Sequence, residues 1–265
     1  MITITLQQLI SNLQKKSEVD SVFLMGSQGE NSKPYSDIDI GIILYEKPLS
    51  IKAIHTWIEG KFADIFFFDH AELQGLEIGS TISANSLEGV LIDWLSSATV
   101  QFDKSGKISE LISKNDEFKK RFEIPGSEKK SFWEKISYNF INNKRYFESS
   151  NPLYHEALEI RLLYSVSELI CGYFEFRNIP WRGEKNVITY LKNNDAAFYD
   201  TLILYTKSNT LIEKFKNYSN MVESVFPKSY PRQIWFKGGV YALSKVPLNL
   251  EGEKGLVQFW EKIAG

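Results

Sequence analysis

The segment from Val22 to Leu44, with the sequence VFLMGSQGENSKPYSDIDIGIIL, constrains the fold more than any other. It contains an apolar run that ends at Gly26 and Ser27, a polar stretch, and then a second apolar run. Gly, Ser, Asn and Pro favour turns, and short apolar runs bounded by such residues are typical of buried β-strands. The segment therefore predicts two neighbouring strands, at residues 20–25 and 37–45, joined by a loop.

The second of these strands carries two aspartates. Because successive side chains of a strand point to opposite faces, Asp37 and Asp39 are expected on one face, with the isoleucines beside them on the other. Adjacent carboxylates repel each other, and Mg²⁺ suits such a pair because it is usually bound by one or two carboxylates together with substrate phosphates. The turn at Gly26 and Ser27 can offer backbone N–H groups and a hydroxyl to a phosphate. The segment therefore predicts a nucleotide site that binds Mg²⁺.

A third carboxylate follows in the apolar segment FADIFFFD at residues 62–69, which predicts a third strand. Asp64 lies inside this strand, and a carboxylate in such surroundings is unfavourable unless something pairs with it. An ion pair would satisfy Asp64. Alternatively, Asp64 converges with Asp37 and Asp39 on one or two metal ions, which neutralise developing charge on a triphosphate and orient an attacking hydroxyl.

The remaining pattern predicts mostly helices. In the first part of the chain they are expected at 5–16, 50–60, 86–97 and 107–122, with a strand at 98–102. The 50–60 helix would begin at Ser50 and end at Gly60. In the second part, helices are expected at 129–149, 151–176, 184–193, 195–216, 218–226 and 253–263.

The break in the pattern at residues 124–127 predicts a domain boundary. We expect one domain at 1–125, with a mixed sheet and flanking helices, and an all-helical domain at 126–265. The predicted fold class is therefore α+β with a helical-bundle C-terminal domain. The aromatic residues after residue 130 are expected in the bundle core, or lining a cleft that stacks on a ring-shaped substrate.

Composition excludes several classes of protein. With 265 residues, 43% hydrophobic and 24% charged, the chain has the make-up of a soluble globular protein. Its formal charge of −2 argues against a dedicated nucleic-acid-binding protein. A single cysteine, Cys171, rules out an intramolecular disulfide. Because no signal peptide and no run of about 20 apolar residues is evident, we expect a cytoplasmic protein without a membrane partner.

The motif resembles that of the nucleotidyltransferase superfamily related to DNA polymerase beta. That family's pattern is an apolar strand, Gly-Ser or Gly-Gly, about a dozen residues, then Asp-x-Asp or Asp-x-Glu, and a third acidic residue on a later strand. Here it takes the form MGSQGENSKPYSDIDIGIIL followed by FADIFFF. The resemblance covers residues 20–70 and departs from the pattern at none of these positions.

This resemblance implies a role for each residue of the motif. Asp37, Asp39 and Asp64 would bind one or two Mg²⁺ ions and act in catalysis. Gly26 and Ser27 would contact the phosphates of ATP or another nucleoside triphosphate.

The chain length and the helical second half are similar to the antibiotic nucleotidyltransferases, which transfer AMP from ATP to aminoglycosides or lincosamides. A weaker similarity to helical segments of these proteins covers residues 155–185. The resemblance implies transfer of a nucleoside monophosphate to a hydroxyl of a small molecule, with release of pyrophosphate. It also implies that residues 126–265 bind the acceptor. Such relatives act as monomers or as homodimers, and both remain open.

A hydroxyl acceptor benefits from a general base within hydrogen-bond reach. The predicted helix at 151–176 offers Glu159 as the first candidate, with Glu156 and Glu168 as alternatives. Positive groups could contact the phosphates, and we expect Lys185 in this role.

Further positive candidates for phosphate or substrate contacts are Arg182, His155 and Arg161. Two other readings of the motif remain open. One is transfer to a protein or nucleic-acid acceptor, as in antitoxin-type nucleotidyltransferases, which are commonly much shorter than this chain. The other is a nucleotide-binding module without activity, against which the presence of all three carboxylates argues.

Overall fold

The computed structural model describes residues 4–25, 37–47, 51–78, 81–242 and 250–264. The chain divides into two compact units, Met1–Glu123 and Ile124–Gly265. Among the described residues, the strands all lie in the first unit, and the second unit is helical. The predicted α+β fold class is confirmed.

The strands of the first unit form a main sheet and a small one. They are β1 (Val19–Met25), β2 (Ile38–Leu44), β3 (Ala53–Ile58), β4 (Lys61–Asp69), β5 (Ile82–Ser83), β6 (Thr99–Asp103) and β7 (Phe122–Glu123). The main sheet has five strands in the order β3-β4-β2-β1-β6, and β5 pairs with β7. In the main sheet β2 and β4 run parallel, while the other neighbours are antiparallel. The sheet is therefore mixed, as the sequence predicts.

Helices flank the sheet and make up the second unit. Those of the first unit are α1 (Leu6–Gln14), α2 (His70–Ile78), α3 (Leu87–Leu95), α4 (Lys107–Ser113) and α5 (Asn115–Lys119). Those of the second unit are α6 (Gly126–Phe147), α7 (Pro152–Phe176), α8 (Glu184–Asn194), α9 (Ala196–Lys207), α10 (Leu211–Val225) and α11 (Leu250–Ala264). Among the described residues, no helix is both long enough and apolar enough to cross a bilayer.

Both faces of β1 and β2 are buried. On one face, Val22 and Leu24 of β1 join a core with Ile10 of α1. On the other face, Phe23 and Met25 join a core with residues of α2 to α5. Burial on both faces explains why β1 and β2 are continuous apolar runs rather than alternating ones.

One strand was predicted as a helix. Residues 53–58, inside the predicted helix at 50–60, form β3, which pairs antiparallel with β4. The hairpin turn consists of Glu59 and Gly60, with φ of 52° and 77°. Positive φ at both central residues matches the twist of a two-residue hairpin. The apolar residues of this segment fit a helical spacing as well, so the choice is made by pairing with β4.

Several helices also differ from the prediction: the one predicted at 107–122 is divided into α4 and α5, and the one predicted at 218–226 is the second half of α10. Helix α2, which begins after Asp69, was not expected. The Asp69 carboxylate accepts a hydrogen bond from the Glu72 backbone N–H at 2.9 Å. In return, the Glu72 side chain accepts one from the Asp69 N–H at 3.1 Å. In the second unit, the predicted helix at 195–216 is broken at 208–210, where α9 ends and Thr210 caps α10. Side-chain hydrogen bonds to the backbone stabilise the starts of α2 and α10.

A buried carboxylate joins three segments of the first unit. Asp20 of β1 is 0% exposed. It accepts hydrogen bonds from the N–H and hydroxyl of Ser105 at 2.9 and 2.7 Å, and from the Ser21 hydroxyl at 2.9 Å. His70 Nε2 of α2 also contacts Asp20, at 3.0 Å, and the Tyr45 side chain is a further hydrogen-bond partner. Asp20 thereby connects β1 to the turn after β6 and to the start of α2.

In the second unit, α6 and α7 share a buried polar network. Arg161 donates to the side-chain oxygens of Asn143 and Asn139 at 2.7 and 2.9 Å. Asn143 is 0% exposed and donates to the Ser165 hydroxyl at 3.0 Å. Arg161, considered above for substrate binding, is thus engaged within the helical unit.

Candidate active site

Two of the predicted site residues lie on the central pair of parallel strands. Asp39 of β2 and Asp64 of β4 are direct register partners. Parallel pairing places their side chains on the same face of the sheet. Two positions further along β2 on this face, Gly41 gives room to Phe23 of β1, because a Cβ at Gly41 would lie 2.1 Å from the Phe23 ring. Residues of the apolar core therefore lie directly beside the two carboxylates.

Asp37 completes a cluster with Asp39 and Asp64. One carboxylate oxygen from each of the three residues lies within 4.8 Å of the corresponding oxygens of the other two. Asp37, just before β2, is exposed, while Asp39 and Asp64 are half-buried. Three negative oxygens at this spacing repel one another, and they form the hard, all-oxygen donor set that Mg²⁺ prefers. The residues present therefore fit a magnesium site.

A histidine that the sequence analysis did not identify stands beside this cluster. His55 of β3 is the register partner of Asp64 across the hairpin, and its Nδ1 lies 2.5 Å from Asp64 Oδ1. The His55 side chain is 60% exposed, and that of Asp64 is 22% exposed. Because residues 50–60 were predicted to be a helix, nothing in the sequence placed His55 next to Asp64. The signal that could have revealed it is the Glu59-Gly60 pair as a hairpin turn.

The other predicted site residues are in different surroundings. Gly26 and Ser27 lie outside the described residues. Glu159 belongs to α7 of the second unit, where it is half-buried and forms an ion pair with Lys214 of α10 at 2.7 Å. The first candidate for the general base thus has a positive partner within its own unit.

The alternatives to Glu159 and the positive candidates also lie in the second unit. Glu156 is exposed on α7, and Glu168 accepts a hydrogen bond from Asn139 at 2.5 Å. Lys185 is exposed in the first turn of α8. Just before that helix, Arg182 donates to the Trp181 carbonyl at 2.7 Å.

The second unit contains two cavities of ligand size. One, of about 500 Å³, has the positive side chains of Lys129, Lys130 and Arg232 in its lining. The other, of about 350 Å³, is lined in part by aromatic rings and carboxylates. These are Trp133, Tyr241, Glu253 and Glu261. Glu253 is paired with Lys130 at 2.6 Å and with Arg232 at 2.9 Å, and Lys254 also lines this cavity. The second cavity therefore offers aromatic surface to a ring-bearing ligand, and Glu253 already has positive partners.

Comparisons with known proteins add little to this geometry. No protein-family model matches the sequence, and no curated protein matches it. Among solved structures, the chain is similar to a nucleotidyltransferase-like protein from Exiguobacterium sibiricum 255-15, with 12% identity and a TM-score of 0.41, over 83% of this chain and 72% of that chain.

Proposed function

We propose that this protein is a magnesium-dependent nucleotidyltransferase, which transfers a nucleoside monophosphate from a nucleoside triphosphate to a hydroxyl of a small molecule. The observation that carries this proposal is the cluster of Asp37, Asp39 and Asp64, whose carboxylate oxygens lie within 4.8 Å of one another. The sequence motif around these residues supports the same activity. ATP is the proposed nucleotide, so AMP would be the transferred group.

In the proposed reaction, the hydroxyl oxygen of the acceptor attacks the α-phosphorus of the nucleotide. The bond from this phosphorus to the oxygen that bridges to the β-phosphate breaks, pyrophosphate leaves, and the hydroxyl proton passes to a carboxylate base. Mg²⁺ bound by the three aspartates would neutralise charge on the phosphates. Asp39 and Asp64, on paired strands, would present their carboxylates on a rigid surface, and Gly26 and Ser27 would bind the phosphates.

For the acceptor we propose an aminoglycoside or a lincosamide. The cavity lined by Trp133, Tyr241 and Glu261 supports an acceptor that combines rings with amines. Aminoglycosides are polycations, and Glu261 is the carboxylate that we propose for them, because Glu253 is already paired with Lys130 and Arg232. Lincosamides would depend more on the apolar part of this lining.

The experiment is a pyrophosphate-release assay with ATP, GTP, CTP and UTP against a panel of aminoglycosides and lincosamides. We expect release with one nucleotide and one acceptor class. Asp37→Asn should lower kcat more than about 100-fold. Replacing a residue that only hydrogen-bonds to a metal ligand already lowers metal affinity or activity by about 10- to 100-fold. Asp200→Asn, at an exposed position of α9, is the matched control and should keep full activity. Equal release by wild type and Asp37→Asn would refute the mechanism.

The same assay tests Glu159 as the proposed general base. A general base contributes about 10²- to 10⁴-fold, so Glu159→Gln should lower kcat by at least about 100-fold. Glu156→Gln, an exposed position three residues earlier on α7, should leave kcat close to that of wild type. If the two variants have the same kcat, Glu159 is not the base.

A further inference from the structure

The contact between His55 and Asp64 joins the edge strand of the sheet to the carboxylate cluster. The two residues are direct partners in the β3–β4 hairpin, and His55 Nδ1 is 2.5 Å from Asp64 Oδ1. A carboxylate only accepts hydrogen bonds, so Nδ1 carries the hydrogen in this contact. One oxygen of Asp64 is therefore held from the β3 side, while Asp39 faces the same residue from β2.

Aromatic neighbours hold the His55 ring in place. The ring stacks on Phe62 of β4, with centroids 6.1 Å apart and an angle of 4° between the planes. Phe62 in turn meets the edge of Trp57 at 5.6 Å. These ring contacts and the contact with Asp64 favour one orientation of the imidazole, and 60% of the His55 side chain is exposed. His55 is exposed, has a preferred orientation and lies next to the carboxylate cluster, so packing of the core does not account for its position.

We propose that His55 is a positioning residue, which orients the Asp64 carboxylate for binding the metal ion together with Asp37 and Asp39. The proposal rests on the function proposed above. Carboxylates that bind a metal are commonly oriented by hydrogen bonds from outer residues, whose loss weakens metal binding. A hydrogen bond to one Asp64 oxygen restricts rotation of the carboxylate, so that less conformational freedom is lost when the ion binds.

Two variants of His55 separate the hydrogen bond from the ring. His55→Asn keeps an N–H donor near the position of Nδ1, while His55→Phe keeps a ring to stack on Phe62 and removes the donor. The measurement is the dissociation constant of Mn²⁺, a paramagnetic substitute for Mg²⁺, by electron paramagnetic resonance of the full chain without nucleotide. We expect His55→Phe to weaken Mn²⁺ binding by about 10-fold or more and His55→Asn to stay close to wild type. Ile54→Val, at an exposed position of the same strand and on the opposite face from His55, is the control and should bind like wild type.

Each other outcome has a defined meaning. If Asp39→Asn loses Mn²⁺ binding but His55→Phe binds like wild type, the metal site stands and the positioning role of His55 is refuted. If wild type itself binds no Mn²⁺ at millimolar concentration, the proposed magnesium site and the role of His55 both fail. Nitrogen modulation from a directly bound imidazole in the spin-echo spectrum of wild type would make His55 a metal ligand, and would also overturn the proposal. Unchanged thermal unfolding of His55→Phe excludes misfolding as the cause of weaker binding.

Discussion

Asp39 and Asp64 face each other on the two parallel strands at the centre of the sheet, and Asp37 brings a third carboxylate within 4.8 Å. Without a cation the three carboxylates repel one another, because unit charges about 4 Å apart repel by about 1 kcal/mol even in water. The proposed metal binding and the stability of the metal-free chain would therefore make opposite demands on these positions.

Replacing one charge of the cluster should reveal this conflict. We expect Asp39→Asn to raise the metal-free unfolding temperature by about 2–4 °C, as about 1 kcal/mol of repulsion is removed. Wild type should gain stability on addition of Mg²⁺, and the variant should not, because the ion binds only the folded cluster. Differential scanning calorimetry with EDTA and with Mg²⁺ measures both effects. Asp200→Asn should show neither, and an Asp39→Asn protein that Mg²⁺ still stabilises would contradict the expectation.

The buried Asp20 should make the stability of the first unit depend on acid. Burial by itself would raise the pKa of Asp20, but hydrogen bonds from Ser105, His70, Ser21 and Tyr45 outweigh it and hold this pKa below its usual value. A carboxyl with a lowered pKa in the folded state adds stability above its unfolded pKa of about 3.9, and this contribution is lost as the pH falls through the folded pKa.

Asp20→Asn should therefore lower the free energy of unfolding at pH 7 by about 1–3 kcal/mol, since it removes a charged acceptor from the site. The difference from wild type should shrink as the pH falls below about 4. Urea titrations from pH 7 to pH 3 measure it, with Asp200→Asn as an exposed control. A difference that stays constant over this range would mean that the charge of Asp20 does not contribute.

Two glycines of the first unit should respond oppositely to the same substitution. Gly60 has φ of 77° in the β3–β4 turn, where an L side chain is strained. Gly75 lies exposed in α2, and a Cβ there would meet nothing within 4 Å. Gly60→Ala should lower the free energy of unfolding by about 1–2 kcal/mol, and Gly75→Ala should raise it by about 0.5–1 kcal/mol. Chemical denaturation tests the signs, and a stabilising Gly60→Ala would argue against the hairpin.

A feature of the fold could be anticipated from the sequence when residues close together in the chain determine it, and not when distant residues do. The strands that carry Asp39 and Asp64 follow from local apolar runs, and Asp37, expected on the first of them, lies just before it. The grouping of the three residues could be anticipated in this way, while their roles stay predictions. His55 could not, because residues 50–60 fit a helix locally and only pairing with β4 makes them a strand.

Long-range contacts also hid the structural role of Asp20. Its partners Ser105 and His70 are 85 and 50 residues away along the chain. Nothing near Asp20 in the sequence distinguishes it from an exposed aspartate at the start of a strand. Arg161 is similar, because its partners lie one helix earlier, on α6.

The buried polar network around Arg161 should contribute more to the stability of the helical unit than an exposed arginine does. Arg161 and Arg145 both lie over the ring of Tyr146, at 5.2 and 5.3 Å from its centroid. Only Arg161 donates to the buried side chains of Asn143 and Asn139, while Arg145 is exposed. The two arginines thus share the cation–π contact with Tyr146, and Arg161 has in addition these hydrogen bonds and a second cation–π contact, 5.6 Å from the centroid of Tyr164.

Arg161→Met keeps the aliphatic stem but leaves two buried amide oxygens without their donor. We expect it to lower the free energy of unfolding of the second unit by about 2–4 kcal/mol. Arg145→Met also loses the contact with Tyr146. Apart from that loss, it should change this free energy by about 0.5 kcal/mol or less. Urea denaturation followed by tryptophan fluorescence compares the two variants. Because the contact with Tyr146 is common to both, equal losses would show that the hydrogen bonds to Asn143 and Asn139 and the contact with Tyr164 contribute nothing net. A larger loss for Arg161→Met would assign this arginine a structural role in the helical unit.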